Sequence, residues 1–364
     1  MTEILILKTG ALGDVLRTTS ILPGLHARYP QARVTWVTAP GAVDLVQGHP
    51  QVARTLSLRP DDAEGAQRLG RELGSQWDRV ISLDDELPLC ALATTLADPT
   101  ARPGVLSGAW LREDGERAYT PDVGPWFDMG LLSVHGKARA DELKVENTES
   151  HAAIYARMLG IELGEPELPL GAAAEAFGAR FRARHGVDGS RLWIGLNTGS
   201  GGRWESKKLS VERTVELART LDGGSPQGLG FVLLGGPEER ERNEAIGAAL
   251  GTGLRWVDAG TDNGLLDFAA IIDGLDLLIT SDSLALHVAV ARRVPVLAFF
   301  APTSAAEIEL YGRGEKVWST SADYCSYARD ADTSTLTVER LVPPAIELLG
   351  ARARARSGPS GAGA

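Results

Sequence analysis

The chain has 364 residues, 43% of them hydrophobic and 23% charged, too long for one ordinary domain and apolar enough for two, each with a core. Lys and Arg number 37 against 48 Asp and Glu, for a net charge of −11; neither half holds a basic surplus, which argues against general nucleic-acid binding. Two cysteines, Cys90 and Cys325, exclude a disulfide framework and suit a reduced, cytoplasmic setting. No secretion signal opens the chain, no apolar run approaches the roughly 18 residues of a membrane span, and no Cys/His cluster has zinc-ligand spacing, so no metal site is expected.

In chain order, residues 4–7 form a short apolar strand that ends at a Gly-containing loop. Val15, Leu16, Thr19, Leu22 and Leu25 then recur at helical spacing. Residues 34–37, Leu56 and residues 80–83 continue as strand segments with helices between, which implies a parallel sheet with right-handed crossovers. Residues 106–146 read as an irregular polar loop, and 147–159 as a helix capped by Asn147 or Thr148. Residues 161–171, with Gly164, Pro166, Pro169 and Gly171, break both periods and read as a linker after a first domain of residues 1–160. A second domain, 172–336, repeats the alternation, with strands at 192–196, 230–234, 255–257, 275–280 and 294–300. A last helix, 337–350, is expected to pack back on the first domain, and the Ala-Arg and Gly-Ser tail 351–364 to be disordered.

Four strand-to-helix loops carry the chemistry, because open α/β sheets bind ligands there. The first holds Lys8, Thr9, Gly10, Gly13 and Asp14. Its glycines are spaced G-x-x-G and no acid follows the second strand, which disfavours nicotinamide binding and hence an oxidoreductase. Asp14 suits either a helix cap or a base. The second loop holds Thr198, Gly199, Ser200, Gly201, Gly202 and Arg203, then Lys207 and Lys208. Glycines let backbone N–H groups approach an anion, hydroxyls add donors and lysines add charge, so a diphosphate site is expected; it is not a Walker loop. The third runs Asp282, Ser283, Leu284 to His287, with Ser283 placed to cap a helix and His287 set among apolar residues, where a core role is the simpler reading. In the fourth, Gly235-Gly236-Pro237-Glu238-Glu239, Glu239 could reach a ribose or a base.

Taken together, ILILKTGALGDVLRTTSILPGL, LNTGSGGRWESKKLS, LLGGPEE and SDSLALHVAVARRVPVLAFFAPT resemble glycosyltransferase family 9, the ADP-heptose:lipopolysaccharide heptosyltransferases, over roughly residues 4–349. The resemblance implies an α/β chain of the GT-B fold, two Rossmann-like domains with parallel sheets facing across a cleft. It implies inverting sugar transfer without a cofactor or bound metal, from a nucleotide-sugar donor, ADP-linked, to a glycan or glycolipid acceptor at the inner membrane surface. Carried over, Asp14 is the general base and Lys207 the phosphate lysine, with Lys208 its fallback. Thr198 and Ser200 match small phosphate-binding positions, and Asp282, Ser283 and His287 match the Asp-Ser/Thr-Gly-x-x-His motif. Leu284 stands where that motif has Gly, which bears on the donor sugar, and the C-terminal cysteine-rich stretch is reduced to Cys325. A different nucleotide sugar and acceptor, or a non-catalytic nucleotide-sugar-binding protein, are the alternatives; the pairing of Asp14 with Lys207 speaks against the latter.

Overall fold

The structure, a computed structural model, describes residues 1–130, 134–202, 204–225 and 228–357. The chain divides into two compact units, Met1–Pro169 with Ala306–Glu309, and Leu170–Ala305 with the residues from Leu310 onward. In the first unit, β1 (Thr2–Leu7), β2 (Ala32–Thr38), β3 (Arg54–Ser57), β4 (Arg79–Ser82), β5 (Leu106–Leu111) and β6 (Arg117–Tyr119) form one sheet in the order β3-β2-β1-β4-β5-β6. All neighbours are parallel except β5 and β6. Leu7 lies opposite Val37 on one side and Ser82 on the other, so the ends of three strands come level there.

The second unit has β7 (Leu192–Asn197), β8 (Leu229–Leu234), β9 (Arg255–Asp258), β10 (Leu277–Ser281), β11 (Val296–Phe300) and β12 (Gly314–Trp318), in the order β12-β11-β10-β7-β8-β9, all parallel. Counted within its unit, each sheet has the order 3-2-1-4-5-6, whose direction reverses beside the first strand: between β1 and β4, and between β7 and β10. Helices cover both faces of these sheets, so central strands read as unbroken apolar runs, not as alternation; β8, LGFVLL, is buried at every position. Leu5, Leu7, Val37 and Val80 with Leu89, Leu92 and Leu96 fill one core; Ile194, Leu217, Phe231, Ile246 and Leu297 belong to the other. Each fully buried Leu, Ile or Phe contributes about 1.5–3 kcal/mol.

Four expectations change. Residues 106–111 and 117–119 are strands, and Lys137–Glu146 is a helix, so the segment 106–146 is structured where it is described; 131–133 lie outside the described residues. The following helix begins at His151, because the hydroxyl of Ser150 accepts the Ala153 N–H at 3.2 Å, while Asn147 closes the helix before it. The last helix, Val338–Ser357, places Leu341, Ala345 and Leu349 in the second unit's own core. It also runs through the start of the expected disordered tail: Arg352 and Arg356 reach Asp276, 0% exposed, at 3.2 and 2.8 Å, and that buried carboxylate holds the tail in helix. Residues 358–364 lie outside the described residues. No described helix is long and apolar enough to cross a membrane.

Candidate active site

In the second unit the reversal point is built from Asn197, the last residue of β7. Its amide donates to Gly199 O at 2.7 Å, Thr280 Oγ1 at 3.0 Å and Ser283 Oγ at 3.2 Å, tying the loop after β7 to the loop after β10. Ser283 therefore occupies the N-cap position of helix Leu284–Ala291 without capping it; its hydroxyl is turned to Thr280 and Asn197. Thr198, expected at a phosphate, faces inward: its hydroxyl sits 2.6 Å from Asn243 Oδ1 and 3.0 Å from Leu234 O, pinning β7 to β8. The neighbouring Ser200 hydroxyl is buried and has no hydrogen-bond partner among the described residues.

Gly199 must be glycine, because a Cβ there would stand 2.2 Å from the buried Glu239 side chain. Gly201 has φ +77°, in the left-handed region, and Gly202 O accepts from Arg329 Nη2 at 3.4 Å. Arg203 lies outside the described residues. Glu239 accepts the Gly236 N–H at 2.9 Å through Oε2, while Oε1 has no hydrogen-bond partner among the described residues. Lys207 donates to the carboxylate and the carbonyl of Asp282, both at 2.8 Å, and His287 Nε2 lies 3.8 Å from the other carboxylate oxygen. His287 is thus a member of this cluster and no solitary core residue. Lys208 is 3.0 Å from Glu205 and 3.8 Å from Glu239. Glycine backbone, an uncommitted hydroxyl and two lysines at one strand end form an arrangement that can take an anion. Sequence reading missed the buttress under it: Ser206 donates to Arg329 O and Ala328 O, both at 3.1 Å, from a segment in which Cys325 and Tyr327 hold positive φ.

In the first unit, Asp14 is the third residue of helix Leu12–Thr18 and Gly13 the second. Its carboxylate accepts the Ala11 N–H at 3.2 Å and pairs with Arg17 at 2.9 Å, and it stays 33% exposed. The capping reading is therefore realised while the carboxylate remains reachable. Gly10 has open space around its Cβ position. Lys8 is 2% exposed; its ammonium donates to the Gly10 carbonyl and to Asp84 Oδ1. Thr9 gives both its N–H and its hydroxyl to Asp84 Oδ2, the hydroxyl at 2.8 Å. Burial pulls the Lys8 ammonium down, but Asp84, then Asp14 and Tyr155, outweigh it and hold it above the ordinary lysine range.

Asp84 escaped the sequence reading, as did the aromatic wall behind it. Trp126 donates to Leu83 O at 2.9 Å, lies 5.8 Å from the Lys8 ammonium and stacks edge-on against Tyr155 and His151, each 4.9 Å away. Tyr155 is fully buried, its hydroxyl has no hydrogen-bond partner among the described residues, and burial pushes its phenol up. The available signal was the run Asp84-Asp85-Glu86 directly after a strand that flanks β1. Among the described residues no group of three or more His, Cys, Asp or Glu side chains is placed to hold a metal ion.

The family model for glycosyltransferase family 9 (heptosyltransferase) matches residues 135–338. A candidate glycosyltransferase of Haemophilus influenzae is 22% identical over 308 residues, covering 82% of this chain and 82% of that protein. Among solved structures, the fold is similar to a family 9 glycosyl transferase from Veillonella parvula, at 20% identity over 96% of this chain and 98% of that one, with a TM-score of 0.77. It is also similar to E. coli ADP-heptose lps heptosyltransferase II (18% identity, 97% and 100% coverage, TM-score 0.65) and to an E. coli heptosyltransferase with ADP (18%, 97% and 99%, TM-score 0.58).

Proposed function

The chain belongs to glycosyltransferase family 9 and has the two parallel-sheet α/β units of the GT-B type; from this we propose that it is an inverting, metal-independent enzyme that moves a heptose from ADP-heptose to a lipopolysaccharide core or related glycan acceptor at the inner membrane surface. The observation that carries the donor assignment is the loop after β7, where Gly199, Lys207 and the Ser200 hydroxyl, which has no hydrogen-bond partner among the described residues, gather at the sheet's reversal point. The diphosphate lies on the loop N–H groups, and Ser200 and Lys207 supply a hydroxyl and a charge. Thr198 takes part only as the pin that sets the loop.

Asp14 takes the proton from an acceptor hydroxyl. That oxygen attacks the anomeric carbon from the face opposite the diphosphate, the glycosidic bond to phosphate breaks, and the nucleoside diphosphate leaves with the bonding electrons. Lys207 and the loop N–H groups stabilise the charge that develops on the leaving group, the task a metal performs in other phosphate chemistries. Asp282 holds Lys207 at two points, so the cation is placed before the donor arrives.

Calorimetry with ADP, GDP, UDP and dTDP in chelator tests this reading. ADP should bind without metal, and at a hundredfold excess over its Kd should stabilise the fold by about 2.7 kcal/mol. Strict dependence on magnesium or manganese, or indifference to all four nucleotides, would overturn it. A second reading, transfer of another sugar from another nucleotide, is favoured by one residue. Leu284 opens helix Leu284–Ala291 half-buried, and side chains in a helix tilt toward its N-terminus, so an isobutyl group leans over the strand end where the donor is placed. Competition between ADP-heptose and other sugar nucleotides decides between them.

A further inference from the structure

Resting on the reading of Asp14 as the base, we propose that Lys8 and Asp84 are positioning residues for it: a buried, charge-balanced pair that fixes the loop leading into the Asp14 helix and keeps Lys8 from adding a second cation's field to that of Arg17, which already pairs with the base. Lys8 ends on the Gly10 carbonyl, two residues ahead of its own backbone, and Asp84 takes both donors of Thr9. Residues 8, 9 and 10 are thereby clamped to the end of β4, and the helix holding Asp14 starts two residues later. Both side chains are nearly buried, at 2% and 9% exposure, and both are committed to the loop. A pair needed only for stability could be replaced by apolar packing without loss; this one stands in the field of Asp14.

The charged and titratable groups acting there come from four elements: Arg17 on the helix of Asp14, Lys8 at the end of β1, Asp84 after β4, and Tyr155 on helix His151–Leu159. Lys8 unopposed would favour the ionised form of Asp14 and make it a weaker base; Asp84 cancels that field. Removing only Lys8 leaves a negative charge near Asp14 and favours its protonated form; removing only Asp84 does the reverse.

The test is the pH profile of kcat/KM for sugar transfer in Lys8→Met, Asp84→Asn and the double variant. Lys8→Met should move the acid limb up by about one pH unit, and Asp84→Asn should move it down. The double variant, with no unpaired buried charge, should fold, return the limb to its native position, and lose at least about tenfold in kcat with an unchanged KM for the donor, because the loop is no longer clamped. If neither single variant folds, the kcat of the double variant decides. An unmoved limb in folded single variants, or native kcat in the double variant, overturns the proposal. Asp14→Asn separates this failure from a failure of the underlying reading: full turnover in that variant removes the base assignment itself.

Discussion

The two units share one strand order, yet their reversal points are filled in opposite ways. Between β1 and β4 the crevice is occupied from within, by the Lys8 ammonium, the Asp84 carboxylate and both donors of Thr9. Between β7 and β10 the strands are joined by neutral hydrogen bonds from Asn197 and an ion pair, Lys207 with Asp282, reaches in from the loop, while the Ser200 hydroxyl has no hydrogen-bond partner among the described residues. A topology says where a ligand can sit; the side chains at the strand ends decide whether the protein has already spent that place on itself. The first unit offers a carboxylate on the first turn of a helix, and the second offers a glycine-rich loop with a cation already set beside it.

The largest test of this contrast is Asp14→Asn. Asparagine keeps a side-chain oxygen that can accept the Ala11 N–H, so the fold should hold and donor affinity, assigned to the other unit, should not change. Turnover should fall by at least about a hundredfold, the lower end for a positioned base. Melting temperature, donor affinity and transfer rate on that variant check it, and retained turnover would leave Asp14 as a cap.

Lys207→Ala comes next. A charge-assisted contact to phosphate is worth about 1.5–3 kcal/mol, so donor affinity should drop by one to two decades. Lys208→Ala should cost less, since Lys208 already answers Glu205 and Glu239. Titration calorimetry reads both; the reverse order would transfer the phosphate role to Lys208.

Equivalent glycines sharpen the comparison at lower cost. Gly199→Ala drives a methyl into Glu239 and should destabilise the second unit by about 1–3 kcal/mol and weaken donor binding. Gly10→Ala meets nothing within 4 Å and should shift stability by no more than about 0.5 kcal/mol. Equal effects in urea melts would mean that the two crevices are alike.

The smallest expected effect is a pH effect that stays away. The proton affinity of Lys8 is raised in the fold, so the stability its pairing adds is fully present below the ordinary lysine value of 10.5 and is lost only as pH climbs through the higher folded value. The cost of Lys8→Met should therefore be the same at pH 7 and pH 9. A cost that shrinks by pH 9 would mean that the ammonium is held less firmly than the geometry says.

What could be read in advance follows the same physics. Strands β1, β2, β7, β8, β10 and β11 announce themselves as apolar runs because both sheet faces are covered. The outer strands β6 and β12 do not: Arg117-Ala118-Tyr119 and Gly314-Glu315-Lys316-Val317-Trp318 carry the polar residues that edges tolerate. Lys207 and the glycines were visible because a strand, a loop and a helix spell them out locally. Asp84 and Tyr155 were not, since a partner 76 residues from Lys8 and a buried hydroxyl leave no local pattern. Thr198 misled because residue type does not reveal which way a hydroxyl turns.

The carboxylate of Asp276 carries a consequence for synthesis. It lies at the start of β10, fully buried, accepting the Trp193 N–H at 2.8 Å, and its countercharges are Arg352 and Arg356, the first of them 76 residues further along. A ribosome delivers β7 and β10 well before those arginines. Until they emerge, the growing second sheet must leave this end open to water, so its core closes late. Because Glu307 belongs to the first unit, where its carbonyl takes the His151 N–H at 2.9 Å, that unit too waits for residues made long after its own sheet. Translation thus imposes an order in which neither half finishes before the other is under way.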